Sequence, residues 1–343
     1  MTLRGPIAAL ALLGLGAPGR VSGVQPSHLL VVAGIGGDAY HRAAFHDRAA
    51  RLVDAARDRF GMPAERVIYL DERPARDPER IDGRSTRAEV SAAVERLVGD
   101  TRPGDVIFIV LIGHGSGTGT DARFNLPGPD LTAADFAAML APLSNRHVVF
   151  VNTATASGDF LPVLSGANRT IITATKTGFE RNESVFGEYF VRAYATDVAD
   201  VDKDGRLSVL EAFAYAVREV ARSYEADGRL LTEHAQLDDD GDGKGTGAPG
   251  REQGDGRVAA RLFLADARVG GSEAASADTV LARLYANKAT LEHRLDSLRR
   301  QRATMTPEVY EDALEALLVD LALTNRAIRA RERETGGAGG GDR

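Results

Sequence analysis

The sequence predicts an α/β fold in which helices cover both faces of a mostly parallel β-sheet. Short apolar runs rich in Val and Ile alternate with amphipathic stretches, which is the order expected when strands and helices take turns. The runs are apolar at almost every position, and this pattern is typical of strands buried on both faces. With 343 residues, of which 43% are hydrophobic, the chain can bury a sizeable core.

The apolar runs and the amphipathic stretches predict the individual elements. The predicted strands are residues 28–33, 66–70, 105–112, 147–151 and 169–173, with 257–264 as a candidate sixth. The predicted helices are residues 41–60, 86–98, 132–140, 183–194 and 208–224. The segment 241–256 is rich in Gly and Asp and is predicted to be a loop.

Composition excludes several classes of function. The 42 basic residues stand against 49 acidic ones, for a net charge of −7. This balance argues against nucleic acid as a partner, because binding phosphates needs a concentrated basic surface. The chain contains no cysteine, so disulfides, thiolate metal sites and a cysteine nucleophile are all excluded.

The first 23 residues have the pattern of a signal peptide. Arg4 provides the basic region, residues 7–17 form an apolar stretch too short to span a bilayer, and small residues at 21–23 allow cleavage after Gly23. The prediction is an exported protein, periplasmic or secreted, with an unprocessed extension as the alternative. No later segment is apolar enough to cross a membrane, so no transmembrane segment is expected after signal removal.

Two predicted strands run directly into polar, glycine-rich segments. The strand 105–112 leads into Gly-His-Gly-Ser-Gly at 113–117, and the strand 147–151 leads into Asn-Thr-Ala-Thr-Ala-Ser-Gly at 152–158. In an open parallel sheet, functional groups gather beyond the carboxyl ends of the strands. We therefore expect His114 and Thr155 to lie close together, although either segment could instead serve only turn geometry.

This pair of motifs resembles the clan of caspases, legumains and related cysteine peptidases. The legumain (C13) branch has His-Gly-Ser after one strand and Ala-Cys-x-Ser-Gly after the next, and here these become residues 114–116 and 154–158. Residues 40–42 and 67–71 are also similar to that family, and the resemblance covers residues 27–194. It implies a three-layer caspase-like sandwich as the fold of residues 24–270, and a peptide or protein as ligand.

The resemblance fails at the nucleophile, because Thr155 stands where the family has its cysteine. A threonine hydroxyl is a far weaker nucleophile than a thiolate, and an internal threonine has no free α-amino group to act as base. The family's Arg-His pocket pair is matched only in reversed order, by His41 and Arg42 as substrate-binding residues. The sequence therefore predicts a catalytically inactive homologue.

The alternative is an active peptide hydrolase built on the same residues. His114 would be the general base, Thr155 or a nearby serine the nucleophile, and backbone N–H groups near Gly115 the oxyanion donors.

Residues 200–211 fit the EF-hand calcium loop at every key position. Calcium prefers several oxygen ligands, and this spacing wraps them around one ion. The expected Ca²⁺ ligands are Asp200, Asp202, Asp204, the backbone carbonyl of Arg206, Ser208 and Glu211. A second acidic run at 238–243 repeats only the first half of the pattern and is interpreted as a solvated loop or a weaker site.

Residues 278–334 are predicted to form an antiparallel helical hairpin. Leucines at 281, 284, 291, 295 and 298 follow helical spacing, and a second stripe follows the helix start at Thr306-Pro307. That second stripe contains Tyr310, Leu314, Leu317, Leu321 and Ile328. The hairpin either packs against its own domain or contacts a protein partner.

The sequence offers three alternative functions besides the peptidase-like one. A dinucleotide-binding enzyme is suggested by the glycines at 34–37, but the acidic pair at 71–72 lies beyond the usual distance of about 20 residues. A serine hydrolase is disfavoured because the Gly-x-Ser-x-Gly elbow is absent from both strand-end segments. A pure interaction protein that uses the hairpin as its contact surface is compatible with an inactive peptidase fold.

Overall fold

The fold is described from a computed structural model of the chain. The structure describes residues 26–201, 206–264 and 305–337, together with 280, 283–284, 287–288, 291, 294–295, 298 and 302. The predicted signal peptide, the two loop residues Asp202 and Asp204, and Leu281 of the first hairpin helix lie outside the described residues.

In the described residues, ten strands form two sheets. The large sheet contains β1 Ser27–Ala33, β2 Val67–Asp71, β3 Gly83–Arg84, β4 Val106–Ile112, β8 His147–Asn152, β9 Arg169–Thr173 and β10 Gln236–Asp238. The small sheet contains β5 Gly115–Ser116, β6 Arg123–Phe124 and β7 Leu131–Thr132. All five runs predicted with the parallel-sheet pattern are strands, and their bounds differ from the prediction by one residue at most.

The large sheet has the strand order β10-β9-β8-β4-β1-β2-β3. Every neighbouring pair is parallel except β10 and β9, which are antiparallel. The predicted α/β class with a mostly parallel sheet is therefore confirmed, and the antiparallel strand lies at one edge.

Seven α-helices whose bounds lie in the described part of the chain accompany the strands. They are α1 Ala39–Asp54, α2 Arg87–Asp100, α3 Ala133–Leu140, α4 Leu161–Leu164, α5 Phe186–Ala195, α6 Val209–Ala226 and α7 Pro307–Gly337. Several starts follow from the sequence, since the hydroxyls of Thr86, Thr132 and Ser208 cap α2, α3 and α6.

The core consists of two apolar layers, one on each face of the large sheet. Alternate residues of β1 enter opposite layers: Val31 packs with residues of α1, α5 and α6, whereas Val32 packs with residues of α2, α3 and α4. This arrangement of helix, sheet and helix is the three-layer sandwich that the resemblance implied. Each fully buried Val, Leu or Ile side chain contributes about 1.5–3 kcal/mol, so the sheet is a rigid platform for its loops.

One predicted strand was wrong. Residues 257–264 contain a short 3-10 turn, Ala259–Arg261, and only a single bridge from Phe263 to Ser208. The alternation of apolar residues there reflects a turn that buries Ala259, Leu262 and Leu264 against the α5–α6 layer. The sequence did not reveal the two edge strands of the large sheet, β3 and β10, which have two and three residues and therefore no readable period.

The C-terminal region contains helical segments that contact each other. The described residues between 280 and 298 are helical, and the amide of Asn287 donates a hydrogen bond of 3.3 Å to Thr324 of α7. Leu291, Leu295 and Ile328 are buried. Among the described residues, no helix combines the length and the apolar character needed to cross a bilayer.

Candidate functional site

The site lies at the carboxyl ends of β4 and β8. These neighbouring strands are parallel, with Leu111 paired to Asn152, so both finish at the same edge of the sheet. The segment 113–119, here named the His114 loop, follows β4, and the segment 153–158, the Thr155 loop, follows β8. Both predicted catalytic side chains are thus carried by adjacent loops on one rigid platform.

The two loops are joined through Gly115 and Thr155. The N–H of Gly115 donates to Thr155 Oγ1 at 3.3 Å, and the same hydroxyl donates to the carbonyl of Gly115 at 3.2 Å. A Cβ atom on Gly115 would lie 2.2 Å from the carbonyl oxygen of Thr155. Glycine is therefore required here for the close approach of the two backbones.

The Thr155 loop is packed on all sides. Thr155 is 8% exposed, and Ser157, which is fully buried, exchanges hydrogen bonds with Thr175. Ala156 has a φ of +54°, a left-handed conformation that costs a non-glycine residue about 1 kcal/mol, and its N–H donates to the carbonyl of Glu180 at 2.9 Å. Such strain beside a strand end is typical of functional sites, where the surrounding contacts fix an unfavourable backbone.

His114 is half-buried against helix α1. Its ring contacts the rings of His41 and Phe45, with centroid distances of 4.7 and 4.9 Å. Burial, and next the nearby charge of His41, lower the pKa of His114, whereas a hydrogen bond to the backbone of Gly36 opposes this shift. The imidazole is therefore neutral near pH 7. Within the described residues, no hydrogen bond joins the His114 ring to Thr155.

The two predicted substrate-binding residues, His41 and Arg42, lie in different environments. His41 Nδ1 lies 2.7 Å from Asp38 Oδ2, and its ring faces His114 in the cleft. Arg42 instead points toward Glu72 at 3.5 Å and donates to the carbonyl of Gly37. Of the two residues, only His41 borders the site, because neighbouring positions on a helix point in different directions.

A third loop, residues 175–180 after β9, was not predicted as part of the site. A Cβ on Gly158 would lie 2.2 Å from the backbone of Lys176, and a Cβ on Gly178 would lie 2.9 Å from the carbonyl of Gly117. This segment therefore fastens the other two loops together. Phe179 at its tip is 78% exposed. The available signal was the Thr-Lys-Thr-Gly run directly after a buried strand.

A buried carboxylate, Glu233, lies at the start of α5. Glu233 accepts hydrogen bonds from the backbone N–H groups of Val185 and Phe186, at 3.0 and 2.9 Å, and from Ser184 Oγ. It therefore caps the start of α5. Burial raises the pKa of Glu233, and the hydrogen bonds oppose this shift.

The predicted calcium loop is only partly described. Asp200 and Arg206 lie on either side of the undescribed segment, and the guanidinium of Arg206 lies 3.6 Å from the centre of the Phe263 ring. Ser208 and Glu211 form a reciprocal capping box at the start of α6, with Glu211 Oε2 accepting from the N–H and the hydroxyl of Ser208.

Within the described residues, the second oxygen of Glu211 accepts no hydrogen bond and is contacted only by an ion pair. Its side chain is buried, and Oε1 lies 3.3 Å from Nη2 of Arg251. An ion bound by Glu211 would therefore have to replace this guanidinium.

The second acidic run brings three carboxylates together. One oxygen of each of Asp238, Asp240 and Asp242 lies within 4.8 Å of the others, the one such cluster in the described part of the chain. Asp238 is buried and accepts hydrogen bonds of 3.0 Å from the N–H groups of Gly241 and Gly243.

The glycine-rich segment after β1 is filled by protein. A Cβ on Gly34 would lie 2.6 Å from the carbonyl of Asn125, and a Cβ on Gly36 would lie 2.5 Å from the backbone nitrogen of Arg42. These glycines permit close packing around the cleft, which explains the loose dinucleotide fingerprint without a nucleotide.

Comparison with known proteins agrees with the architecture. Residues 83–236, which include all three loops, match the model of the Peptidase C13 family. A solved structure that aligns with the chain is the crystal structure of protein GSU0716 from Geobacter sulfurreducens, with 14% identity, a TM-score of 0.38, and coverage of 62% of this chain and 92% of that chain. A likeness this distant says nothing about activity. No curated protein matches the sequence.

Proposed function

Residues 83–236 are related to the C13 peptidases, and from this premise we propose that the cleft binds peptides without hydrolysing them. The observation that carries the proposal is the state of Thr155. Its hydroxyl occupies the position that the resemblance gives to a cysteine, and both of its hydrogen-bonding roles are taken by Gly115.

The hydroxyl lacks the activation that a nucleophile needs. A threonine attacks only when a base removes its proton. The nearest candidate is the ring of His114, which packs against His41 and Phe45, and within the described residues no hydrogen bond joins it to Thr155. The N–H of Gly115, the predicted oxyanion donor, already donates to Thr155 Oγ1. The hydroxyl and the oxyanion donor of the predicted hydrolytic apparatus are therefore hydrogen bonded to each other, and the imidazole is not hydrogen bonded to the hydroxyl.

The aromatic and polar groups that border the cleft support the proposed binding of a peptide. Phe179 and Tyr40 are 78% and 67% exposed, and Tyr40 lies against His41 at the mouth of the site. Exposed aromatic side chains on rigid elements are typical anchors for a peptide ligand. His41 with Asp38, and the ring of His114, add polar contacts.

Cleavage of a peptide library by the wild type and four variants tests the proposal. The wild type and Thr155→Ser are expected to be inactive, and Thr155→Cys is expected to gain cleavage because a thiolate needs less activation. The double variant Thr155→Cys/His114→Ala should lose that gain. Cleavage by the wild type that disappears in His114→Ala would overturn the proposal.

An active hydrolase is the second candidate function. The structure reduces the number of hydroxyl groups that could be its nucleophile. Ser157 is fully buried and bonded to Thr175, and Ser116 donates to Asn125 Oδ1 at 2.8 Å. Thr155 is thus the remaining hydroxyl of the predicted set. A fluorophosphonate probe is expected to label none of the three, and labelling of any one would favour the hydrolase.

Calcium binding at residues 200–211 is part of the proposed function. The capping box of Ser208 and Glu211 supports it, because a calcium loop of this type ends at the first turn of a helix. Isothermal titration with calcium, and with magnesium as control, should show binding that Glu211→Gln weakens at least tenfold, whereas Asp240→Asn leaves it unchanged. Loss of binding in Asp240→Asn alone would move the site to the second acidic run.

Export after removal of residues 1–23 is the last part of the proposal. The apolar stretch and the small residues at 21–23 support it. Mass spectrometry of the protein isolated from its native cells is expected to find a new N-terminus at Val24 in the envelope or medium. Recovery of the intact N-terminus from the cytosol would contradict it.

A further inference from the structure

Helix α7 carries a stripe of exposed residues on the side opposite its packed face. The predicted inner stripe is buried or half-buried at every position, from Tyr310 to Ile328. Six exposed residues at alternating spacings of three and four form a second stripe, here named the outer stripe, with a period of seven residues. They are Val309, Asp312, Ala316, Val319, Leu323 and Arg326.

The centre of the outer stripe is apolar. Val319 and Leu323 are 50% and 58% exposed, and the adjacent Leu318 is 47% exposed. Contiguous apolar side chains of this kind on a soluble surface usually mark a contact with another molecule. The small residue Ala316 would allow a second helix to approach closely.

Opposite charges flank this apolar centre at equal distances. Asp312 precedes Val319 by seven residues and Arg326 follows it by seven, so each lies about 10.5 Å along the same face. Within the described residues, neither side chain takes part in an ion pair. The stripe is therefore self-complementary when it is reversed about Val319.

We propose that two copies of the chain pair through the outer stripes of α7, antiparallel, with a two-fold axis beside Val319. Under that symmetry, Asp312 of one copy faces Arg326 of the other, and the same contact recurs on the far side of the axis. Ala316 of one copy then lies near Leu323 of the other, so that a small side chain accommodates a large one. The pairing goes beyond the proposed peptide binding and does not depend on the cleft.

The distribution of charge along α7 identifies a second copy as the partner. Residues 307–320 contain five acidic residues and no basic one, whereas residues 321–333 contain four arginines and one glutamate. An antiparallel pair sets each acidic half against a basic half, and a parallel pair would set like charges together. Because the stripe is only about 26 Å long and narrow, a weak dimer with a dissociation constant on the order of micromolar is expected.

Sedimentation of the full chain at low and high salt tests the pairing. The wild type is expected to form a dimer that weakens as salt screens the charges. Asp312→Arg or Arg326→Asp alone should weaken the dimer about tenfold, since each replaces two attractive contacts with two repulsive ones. The double variant should recover to within about threefold of the wild type. Glu311→Arg, the same charge change one residue off the stripe, is the matched control.

Val319→Asp, with helix content checked by circular dichroism, should remove the dimer because it places like charges at the axis. A wild type that stays monomeric at up to about 100 μM would overturn the proposal, since the interface expected from its size is tighter than this. A dimer that the single charge reversals leave intact would also overturn it, as would a double variant that fails to recover. Retention of stripe-dependent binding to a different protein by a monomeric chain would identify another occupant and would equally exclude self-pairing.

Discussion

The His114 loop and the Thr155 loop follow neighbouring strands, yet their reactive groups lie in different environments. His114 presents a half-buried ring to α1, where His41 and Phe45 contact it. The Thr155 hydroxyl is hydrogen bonded to both the N–H and the carbonyl of Gly115, and the next residue, Ala156, has a left-handed conformation. The sheet and its two loops, which would support catalysis, are thus present. The Thr155 hydroxyl, which would be the nucleophile, is instead held by hydrogen bonds that stabilise the fold.

The largest expected effect comes from breaking the contact between the loops. In Gly115→Ala or Gly158→Ala, the new Cβ would lie 2.2 Å from the backbone of another loop, so we expect a loss of about 3 kcal/mol in the free energy of unfolding. Gly99→Ala is the control, because Gly99 lies in α2 with no atom near its Cβ, and alanine there should stabilise the helix by about 1 kcal/mol. Urea denaturation measures all three variants, and equal stabilities would contradict the close approach.

A smaller effect is expected from removing the Thr155 hydroxyl. Thr155→Val keeps the shape of the side chain but leaves the N–H and the carbonyl of Gly115 without this partner, which should cost about 1–3 kcal/mol. Thr120→Val, at an exposed position, should change stability by less than about 0.5 kcal/mol. If Thr155→Val were as stable as the wild type, the hydroxyl would be free for chemistry and the proposed inactivity would lose its main support.

The strained residue behind Thr155 offers a change of opposite sign. Ala156→Gly should raise the free energy of unfolding by up to about 1 kcal/mol, because glycine adopts a φ of +54° without steric cost. Asn168, at +58°, is the comparison position, and Asn168→Gly should gain less because asparagine tolerates this region. Thermal unfolding distinguishes the two, and a destabilised Ala156→Gly would mean that the loop is not strained.

The smallest effect is a pH dependence on the histidine side of the cleft. Since burial lowers the pKa of His114, the unfolded chain binds a proton at higher pH than the folded one, and stability is lost as pH falls below about 6.5. His114→Gln should therefore reduce the loss between pH 7.5 and 5.0.

His147, whose pKa burial lowers to about 4, acts with the same sign. Asp255, whose pKa burial raises to about 6, acts with the opposite sign. Both groups are present in wild type and variant, so they cancel in the comparison. Urea titrations at the two pH values measure the change, and identical losses in the two proteins would contradict the lowered pKa of His114.

Most of the large sheet could be predicted because long buried strands appear in the sequence as continuous apolar runs. The run before His114 is apolar at seven consecutive positions, and the sheet places its end beside the end of β8. Parallel neighbours finish at a common edge, so the meeting of the two loops followed from topology alone. Short elements leave no such record, which is why β10 was missed and residues 257–264 were misinterpreted.

The details of the site depended on contacts between residues far apart in sequence. Nothing local indicates that Arg42 points to Glu72 while His41 points into the cleft. The role of the 175–180 loop follows from the packing of one loop on another. The burial of Glu233 follows from its hydrogen bonds to residues 184–186, which are distant from it in sequence. Sequence patterns report the period of an element, and they carry little information about which irregular segments press together.

The large sheet ends in strands of only two residues at β3 and three at β10. A longer outer strand would present a row of open amide and carbonyl groups that can recruit an extended chain by strand addition. In the described residues, β3 and β10 are so short that they offer only a few open backbone groups for strand addition. A polypeptide ligand would therefore be bound by side-chain contacts at the carboxyl ends of the strands. The short edge strands also oppose the stacking of chains into fibres.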